Sequence, residues 1–378
     1  YTGRRPVIPS SLADTPCAAL GVQGVLDGMN ATLGTSHTLD TPSVLSLLEE
    51  SVKMNYDFGT VYGRLRSVWN THRDSNMQDE LRRCEEEDRQ IRQRALVGNR
   101  IVKPDLAPRR VWDLYSNRVV PYWITDEFPD PISHAWVDEK DREDAWTPIN
   151  GKKWPVPIPK DANLNLIRIE MLNLGVEYTW LDVLCLRQKD GLREDLRAEE
   201  WKLDVPTIRY IYWARQVVIY LSGLGRPLSV KEGDLDSDRS WFRRAWTVQE
   251  VGRKRIIAGD TPDGPMHAEP VDDDGNNQMD MLTRFQKKLN SLHGWDIFSV
   301  LTAMRDRVST NSMDRVAGLA QPMEPKAIPA YYESRSLEDA WMALVNTTHK
   351  LERALLLFQY PGFGLGCKKW RPTWEQVM

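Results

Sequence analysis

Cysteine, histidine and long apolar runs are scarce in this 378-residue chain. Four cysteines, Cys17, Cys84, Cys185 and Cys367, stand far apart, with no C-x-x-C and no histidine pair nearby. That spacing argues against both a disulfide framework and a zinc site, so the expectation is reduced thiols and no metal. No apolar run approaches the roughly 20 residues of a membrane span, and Tyr1 to Pro9 carry no signal-peptide pattern. A cytoplasmic protein that does not engage membranes is expected. The chain begins at tyrosine rather than methionine, which leaves room for a segment upstream. Charge of one sign is also lacking. The net charge of -4 exerts no general pull toward nucleic acid, and none is expected as a partner. Walker A, H-E-x-x-H and G-x-S-x-G patterns are missing. Gly223-Leu224-Gly225-Arg226-Pro227-Leu228 begins like a dinucleotide fingerprint but lacks its third glycine.

What the chain does have is a globular balance, with 41% hydrophobic and 28% charged residues, so a buried core fits and wholesale disorder does not. The 15 tryptophans suit cores and ligand clefts alike. Residues 1 to 40 read as loops with brief helices. Leu45, Leu48 and Val52 follow Thr41-Pro42 at helical spacing. Ser75 to Gln78 matches an S-x-x-Q capping box. Met77, Leu81, Cys84, Ile91 and Ala95 continue as a long amphipathic helix, which either packs on the body or pairs with a second chain.

From about residue 129 strand and helix signals alternate. Pro131 to Trp136 is a strand candidate, and 137 to 157 reads as a loop rich in charge and tryptophan. Asp161 is placed to cap a helix carrying Leu164, Ile167, Met171 and Leu174, with Gly175 at its end. Tyr178 to Leu186 and Val217 to Leu221 read as buried strands. Ser240 caps an expected helix from Trp241 to Gly252, and Arg255 to Ala258 is a further strand. The alternation predicts a mostly parallel sheet covered on both faces. Residues 260 to 280 read as a polar surface loop. Helices are expected over 281 to 319 and 334 to 358, separated by Pro322, Pro325 and Pro329.

Two groups of residues bear on chemistry. Asp182 lies within an apolar strand candidate, where an ionised carboxylate needs a partner or the strand's exposed end. Ligands of doubly wound sheets bind beyond the carboxyl ends of the strands, where Arg187 and Gln188 would follow. The bland reading is that Asp182 anchors a loop. On the expected helix, Arg243, Trp246 and Glu250 fall at i, i+3 and i+7, on one face. They line a nucleotide cleft, or they form a solvated face with a tryptophan lid. Ser133 and His134 are strand neighbours that point to opposite faces, so they are not expected to act as a catalytic pair. Cys185 reads as an inert core thiol.

Five motifs in order resemble the fungal heterokaryon-incompatibility (HET) domain. They are Ser133-His134-Ala135-Trp136, Pro159-Lys160-Asp161-Ala162, Tyr178 through Gln188, Ile211-Tyr212-Trp213-Ala214-Arg215, and Trp241 through Glu250. Arg307 to Leu319 and Trp370 to Trp374 are similar to segments that follow such domains. The glycine common after the first motif's tryptophan is Val137 here, and the common C-I-N-Q is Cys185-Leu186-Arg187-Gln188. Residues 1 to 128 contribute nothing to the likeness.

The resemblance implies a TIR-like, flavodoxin-like α/β core over 129–260. A helical N-terminal region (1–128) and a mainly helical C-terminal region (261–378) flank it. It implies a cytosolic fungal protein of nonself recognition and cell death. Many catalytic TIR domains place a glutamate four residues after a tryptophan, as Trp246 and Glu250 stand here, and cleave NAD at the nicotinamide–ribose bond. On that implication Glu250 is the catalytic candidate. Ser133, Trp136, Asp182, Arg187, Arg243 and Trp246 are the substrate-binding candidates, and NAD is a substrate rather than a cofactor. A homo-oligomer is left open. The contrasting reading is a non-enzymatic module that signals by assembling with partners.

Overall fold

The computed structural model describes residues 3, 5–69, 77–125, 127–228, 240–259, 267–268, 280–290, 297–320, 323, 325–366 and 368–378. Its centre is a seven-stranded mixed sheet. The strands are β1 (Arg110–Asp113), β2 (Arg118–Pro121), β3 (Asp130–His134), β4 (Tyr178–Trp180), β5 (Gln216–Tyr220), β6 (Lys254–Ala258) and β7 (His267–Ala268). They lie in the order β7-β6-β5-β3-β4-β1-β2. The four central strands are all parallel, with Ser133 opposite Ile219, Ile219 opposite Ile257 and Pro131 opposite Trp180. In chain order they stand second, first, third, fourth, as in a flavodoxin-like sheet, so the crossover direction reverses between β3 and β5. The expected strands near Ile132, Leu181, Ile219 and Ile256 thus share one sheet. Helices flank it, and terminal helical extensions complete a mixed α/β fold.

Local sequence accounts for much of this. Val217, Val218, Ile219 and Tyr220 of β5 are all buried, the pattern of a parallel strand covered on both faces. The helix Leu164–Asn173 buries Ile167 and Met171. Its cap is Asn163, whose side chain accepts from the amides of Asn165 and Leu166. The expected cap, Asp161, instead pairs with Arg226 at 2.7 Å. Gly175 ends the turn with φ +88°, a backbone that favours glycine.

Several expectations are corrected. Residues 1 to 40 hold the expected kind of brief helix at Ser10–Ala13, and also a longer helical span, Cys17–Leu33, kinked at Gly21, where the backbone leaves helical geometry (φ +66°). Tyr178 to Leu186 is not one strand: β4 stops at Trp180, and Asp182–Cys185 is a single helical turn. The segment 137 to 157 is more than a loop, since Arg142–Ala145 pairs antiparallel with Val156–Pro159. Trp241 to Gly252 is two short 3-10 turns, Trp241–Arg243 and Trp246–Val248. Ser240 does cap the first of them, accepting from the Phe242 amide. The Ser75 capping box, most of the 260–280 segment, Pro322 and Cys367 lie outside the described residues. Among the described residues no helix is long and apolar enough to cross a membrane.

The N-terminal region supplies β1 and β2 to the sheet. Its long helix, Met77–Ala95, packs on the body, but not by the expected stripe alone. Ile91 is 41% exposed, whereas Arg92 is buried and bonds Asp88, Asp204 and the carbonyls of Ala107 and Pro108. Asp113 on β1 is fully buried and takes two bonds from Arg66, at 3.0 and 3.1 Å. Removing one member of such a pair strands the other's charge. Asp113→Ala is therefore expected to cost about 3–5 kcal/mol in urea unfolding, and a loss under 1 kcal/mol would show that this tie does not hold the region in place.

Candidate functional site

A cleft of about 660 Å³ opens at the carboxyl ends of β3 and β4, within the roughly 300–1,000 Å³ of small-molecule sites. Ligands of open α/β sheets bind beyond the carboxyl ends of the strands, and the gap where the crossover direction reverses, between β3 and β5, lies on the other side of β3. His134 and Trp136 enter it from the end of β3, and Asp182 from the end of β4. Arg142 comes from the antiparallel hairpin, and Arg244, Trp246 and Glu250 from the 3-10 segment. Asp314 and Tyr331 close the wall from the C-terminal region.

Glu250 is buried to 9% exposure. Ser133 donates to its Oε2 at 2.5 Å, and the Trp241 indole N–H donates to the Ser133 hydroxyl oxygen at 2.7 Å. The serine's one proton is thereby committed to the carboxylate. Burial, with Asp182 nearby, raises the Glu250 carboxyl from its usual range to about 7, against the lowering effect of Ser133, His134 and Arg244. The group stands near the middle of its titration at neutral pH.

His134 faces two acceptors. Its Nε2 lies 3.0 Å from Asp182 Oδ1, and its Nδ1 lies 3.2 Å from the Ala135 carbonyl oxygen. The ring makes both bonds only when both nitrogens carry hydrogen, which is the imidazolium. Burial would lower the His134 pKa, but the Asp182 carboxylate reverses this and raises it. Burial would likewise raise Asp182, and His134 together with the Val183 amide holds it down. The sign is the same for both partners, so the charged pair persists above the ordinary histidine range and is lost only at higher pH. Nitrogen NMR is expected to show His134 keeping its second proton above the ordinary histidine midpoint, and losing it at lower pH in Asp182→Asn. A native ring that loses it at or below that midpoint would contradict the pairing.

Trp136 is a half-buried aromatic of the cleft. The Arg244 guanidinium lies 4.4 Å from its ring centre and that of Arg142 lies 5.5 Å away. Among the described residues neither arginine has a carboxylate ion pair. Burial lowers Arg244 to about 10, while Glu250, Asp182 and Asp314 act to raise it. It remains a cation at neutral pH, with donors directed at the cleft rather than at a salt bridge. Asp314 accepts from Tyr331 Oη at 2.7 Å and from the Trp246 indole. Burial raises its carboxyl to about 6, with those two bonds opposing.

The structure brings Trp136, Asp182, Trp246 and Glu250 into one cleft, with Ser133 directly behind Glu250 rather than at the ligand surface. Arg187 and Arg243 do not line it. Arg187 is buried, donates to the Leu192 carbonyl at 2.7 Å and to Glu200 at 3.4 Å, and stacks over Trp154. Arg243 misses the cleft because its segment is not an α-helix, so spacing of three and seven no longer means one face. Arg244 stands where Arg243 was expected. Sequence reasoning also missed His134, Arg142 and Asp314. Only His134 had a usable signal, as the last residue of a parallel strand at its ligand end. Among the described residues no group of three or more histidine, cysteine or acidic side chains could hold a metal ion. Neither protein-family models, nor curated proteins, nor solved structures give a match to this chain.

Proposed function

We propose that the cleft binds NAD and cleaves its nicotinamide–ribose bond, in keeping with the resemblance to HET and TIR-like domains. The observation that carries this reading is Glu250: one buried carboxylate, fixed by Ser133, facing a cleft of ligand size beside an aromatic ring and two arginines that have no ion pair among the described residues.

The chemistry needs little more. As the bond breaks, its electron pair leaves with nicotinamide, which departs neutral and requires no general acid. Positive charge develops on the ribose, as in glycoside hydrolysis, and the ionised Glu250 stabilises it. Water then adds to the anomeric carbon and releases one proton. The products are nicotinamide and ADP-ribose. In this pose Trp136 stacks on a base or on the nicotinamide ring, and Arg142 and Arg244 reach the diphosphate. Asp314 adds a carboxyl to the cleft lining, which suits the cationic pyridinium of the substrate. The biological setting proposed with it is nonself recognition and cell death.

The test is incubation of the purified protein with NAD while nicotinamide is followed by chromatography. Release that depends on Glu250 supports the reading. No release from native protein, or equal release from Glu250→Gln, ends it and leaves the non-enzymatic assembly module.

A further inference from the structure

Glu250 follows two short 3-10 turns that lack α-helical hydrogen bonding, and the C-terminal region bonds several of the backbone groups left over. In an α-helix the Arg244 carbonyl would receive the Val248 amide, and the Trp241 carbonyl would receive the Ala245 amide. Here the Arg244 carbonyl accepts from Arg307 Nη1 at 2.6 Å and from the Thr247 hydroxyl at 2.9 Å. The Ala245 amide donates instead to the Val308 carbonyl at 3.0 Å, and the Val308 amide donates to the Arg243 carbonyl at 2.6 Å. Arg307 Nη1 also reaches Thr247 Oγ1 at 2.5 Å, while its Nε donates to the Ala303 carbonyl at 3.0 Å. Farther along, Gln249 Nε2 donates to the Ala317 carbonyl at 2.7 Å.

Arg307 is 4% exposed, and burial lowers it to about 9. Among the described residues it has no carboxylate ion pair. A buried guanidinium bonded only to carbonyls and a hydroxyl is a poor choice for stability alone, because its desolvation is not offset by an opposite charge. Its three acceptors belong to two elements, the helix Ile297–Arg305 and the turn that carries Arg244 through Glu250. The planar fork of one arginine spans them, and no single lysine nitrogen can.

We infer that residues 303–317 form a latch on the Glu250 segment, and that Arg307 is the positioning residue which holds Arg244, Trp246 and Glu250 at the cleft. Arg307 touches none of the reacting atoms and acts through the backbone. The site is therefore composite: half its machinery is held from outside the sheet.

Arg307→Lys keeps the charge and removes the fork. In hydrogen exchange, the amides of Ala245 and Val308 are expected to speed up at least tenfold, with those of Val218 and Ile219 on β5 unchanged. In a carbon-13 carboxyl titration, with Glu250 assigned by Glu250→Gln, the Glu250 midpoint is expected to fall by a unit or more as water enters behind it. A loss of global stability without a local effect would not move that midpoint. Thr247→Val removes one acceptor while keeping the side chain's shape, and is expected to act in the same direction more weakly; it serves if Arg307→Lys fails to fold. Uniform exchange across the protein, or an unmoved Glu250 midpoint in a folded variant, would overturn the latch. Only a turnover arm, in which NAD hydrolysis falls about tenfold to a hundredfold, rests on the NAD reading. If native protein does not hydrolyse NAD but the exchange and titration results hold, that reading fails and the latch stands.

Discussion

Glu250→Gln is expected to lower NAD turnover by roughly two to three orders of magnitude, the usual scale for removing one electrostatic stabiliser. The amide keeps the size of the side chain and still accepts from Ser133, so the fold and ligand affinity should be retained. A pH signature goes with it. With the carboxyl raised to about 7, the ionised form is lost as pH falls below that value. kcat/KM should then drop about tenfold per unit on the acid side and level off above pH 8. Stability runs the opposite way. A carboxyl whose folded pKa is raised favours the fold in its protonated form, and that contribution is lost as pH rises through about 7. At pH 8 the native protein bears the cost of a buried charge, and Glu250→Gln should be more stable by up to about 3 kcal/mol. At pH 4 the two should unfold alike. Equal stability at both values, with equal turnover, would remove Glu250 from the mechanism.

The second large effect is expected at Arg244. Its guanidinium lies over Trp136 with no ion pair among the described residues, so its donors are available to an anionic ligand. Hydrogen bonds to charged groups contribute about 1.5–3 kcal/mol. Arg244→Met should therefore raise KM for NAD by roughly tenfold to a hundredfold, while kcat changes much less. Calorimetry separates the two ends of the substrate. ADP-ribose binding should weaken by the same factor, and nicotinamide binding should not. An unchanged affinity for ADP-ribose would show that the diphosphate lies elsewhere.

These two neighbouring segments also show where local sequence stops being informative. The parallel strands could be read because each is short, β-rich and buried on both faces, as Val217 to Tyr220 are. Asp182 could be placed because a carboxylate in an apolar run must have a partner, and His134 and the Val183 amide are those partners. The Trp241 to Gly252 segment has helical spacing, yet it is not a helix. Its Arg244 carbonyl is taken by Arg307 and its Arg243 carbonyl by the Val308 amide, both 60 or so residues downstream, and nothing local announces that. The error propagates from backbone to site: with the helix gone, Arg243 leaves the cleft and Arg244 enters. β1 and β2 were hidden for a related reason. Arg110–Asp113 and Arg118–Pro121 are four residues each and carry charges. They become strands by pairing with each other and with Tyr178–Thr179 of β4, a partner more than 60 residues away. Arg142 lay in a stretch rich in charge, which reads as loop until Val156–Pro159 pairs with it.

The latch also sets an order of events during synthesis. A ribosome that has released residues up to Ala258 has delivered every parallel strand of the sheet, with Ser133, Asp182 and Glu250 already in the chain. Arg307, Val308 and Ala317 follow only after some 50 more residues, and Tyr331 later still. Domains fold as they emerge, so the sheet can form while the Arg243 and Arg244 carbonyls still lack the Val308 amide and Arg307. The nascent protein thus has its scaffold before it has its cleft, and a chain terminated early would carry the carboxylate without the means to aim it.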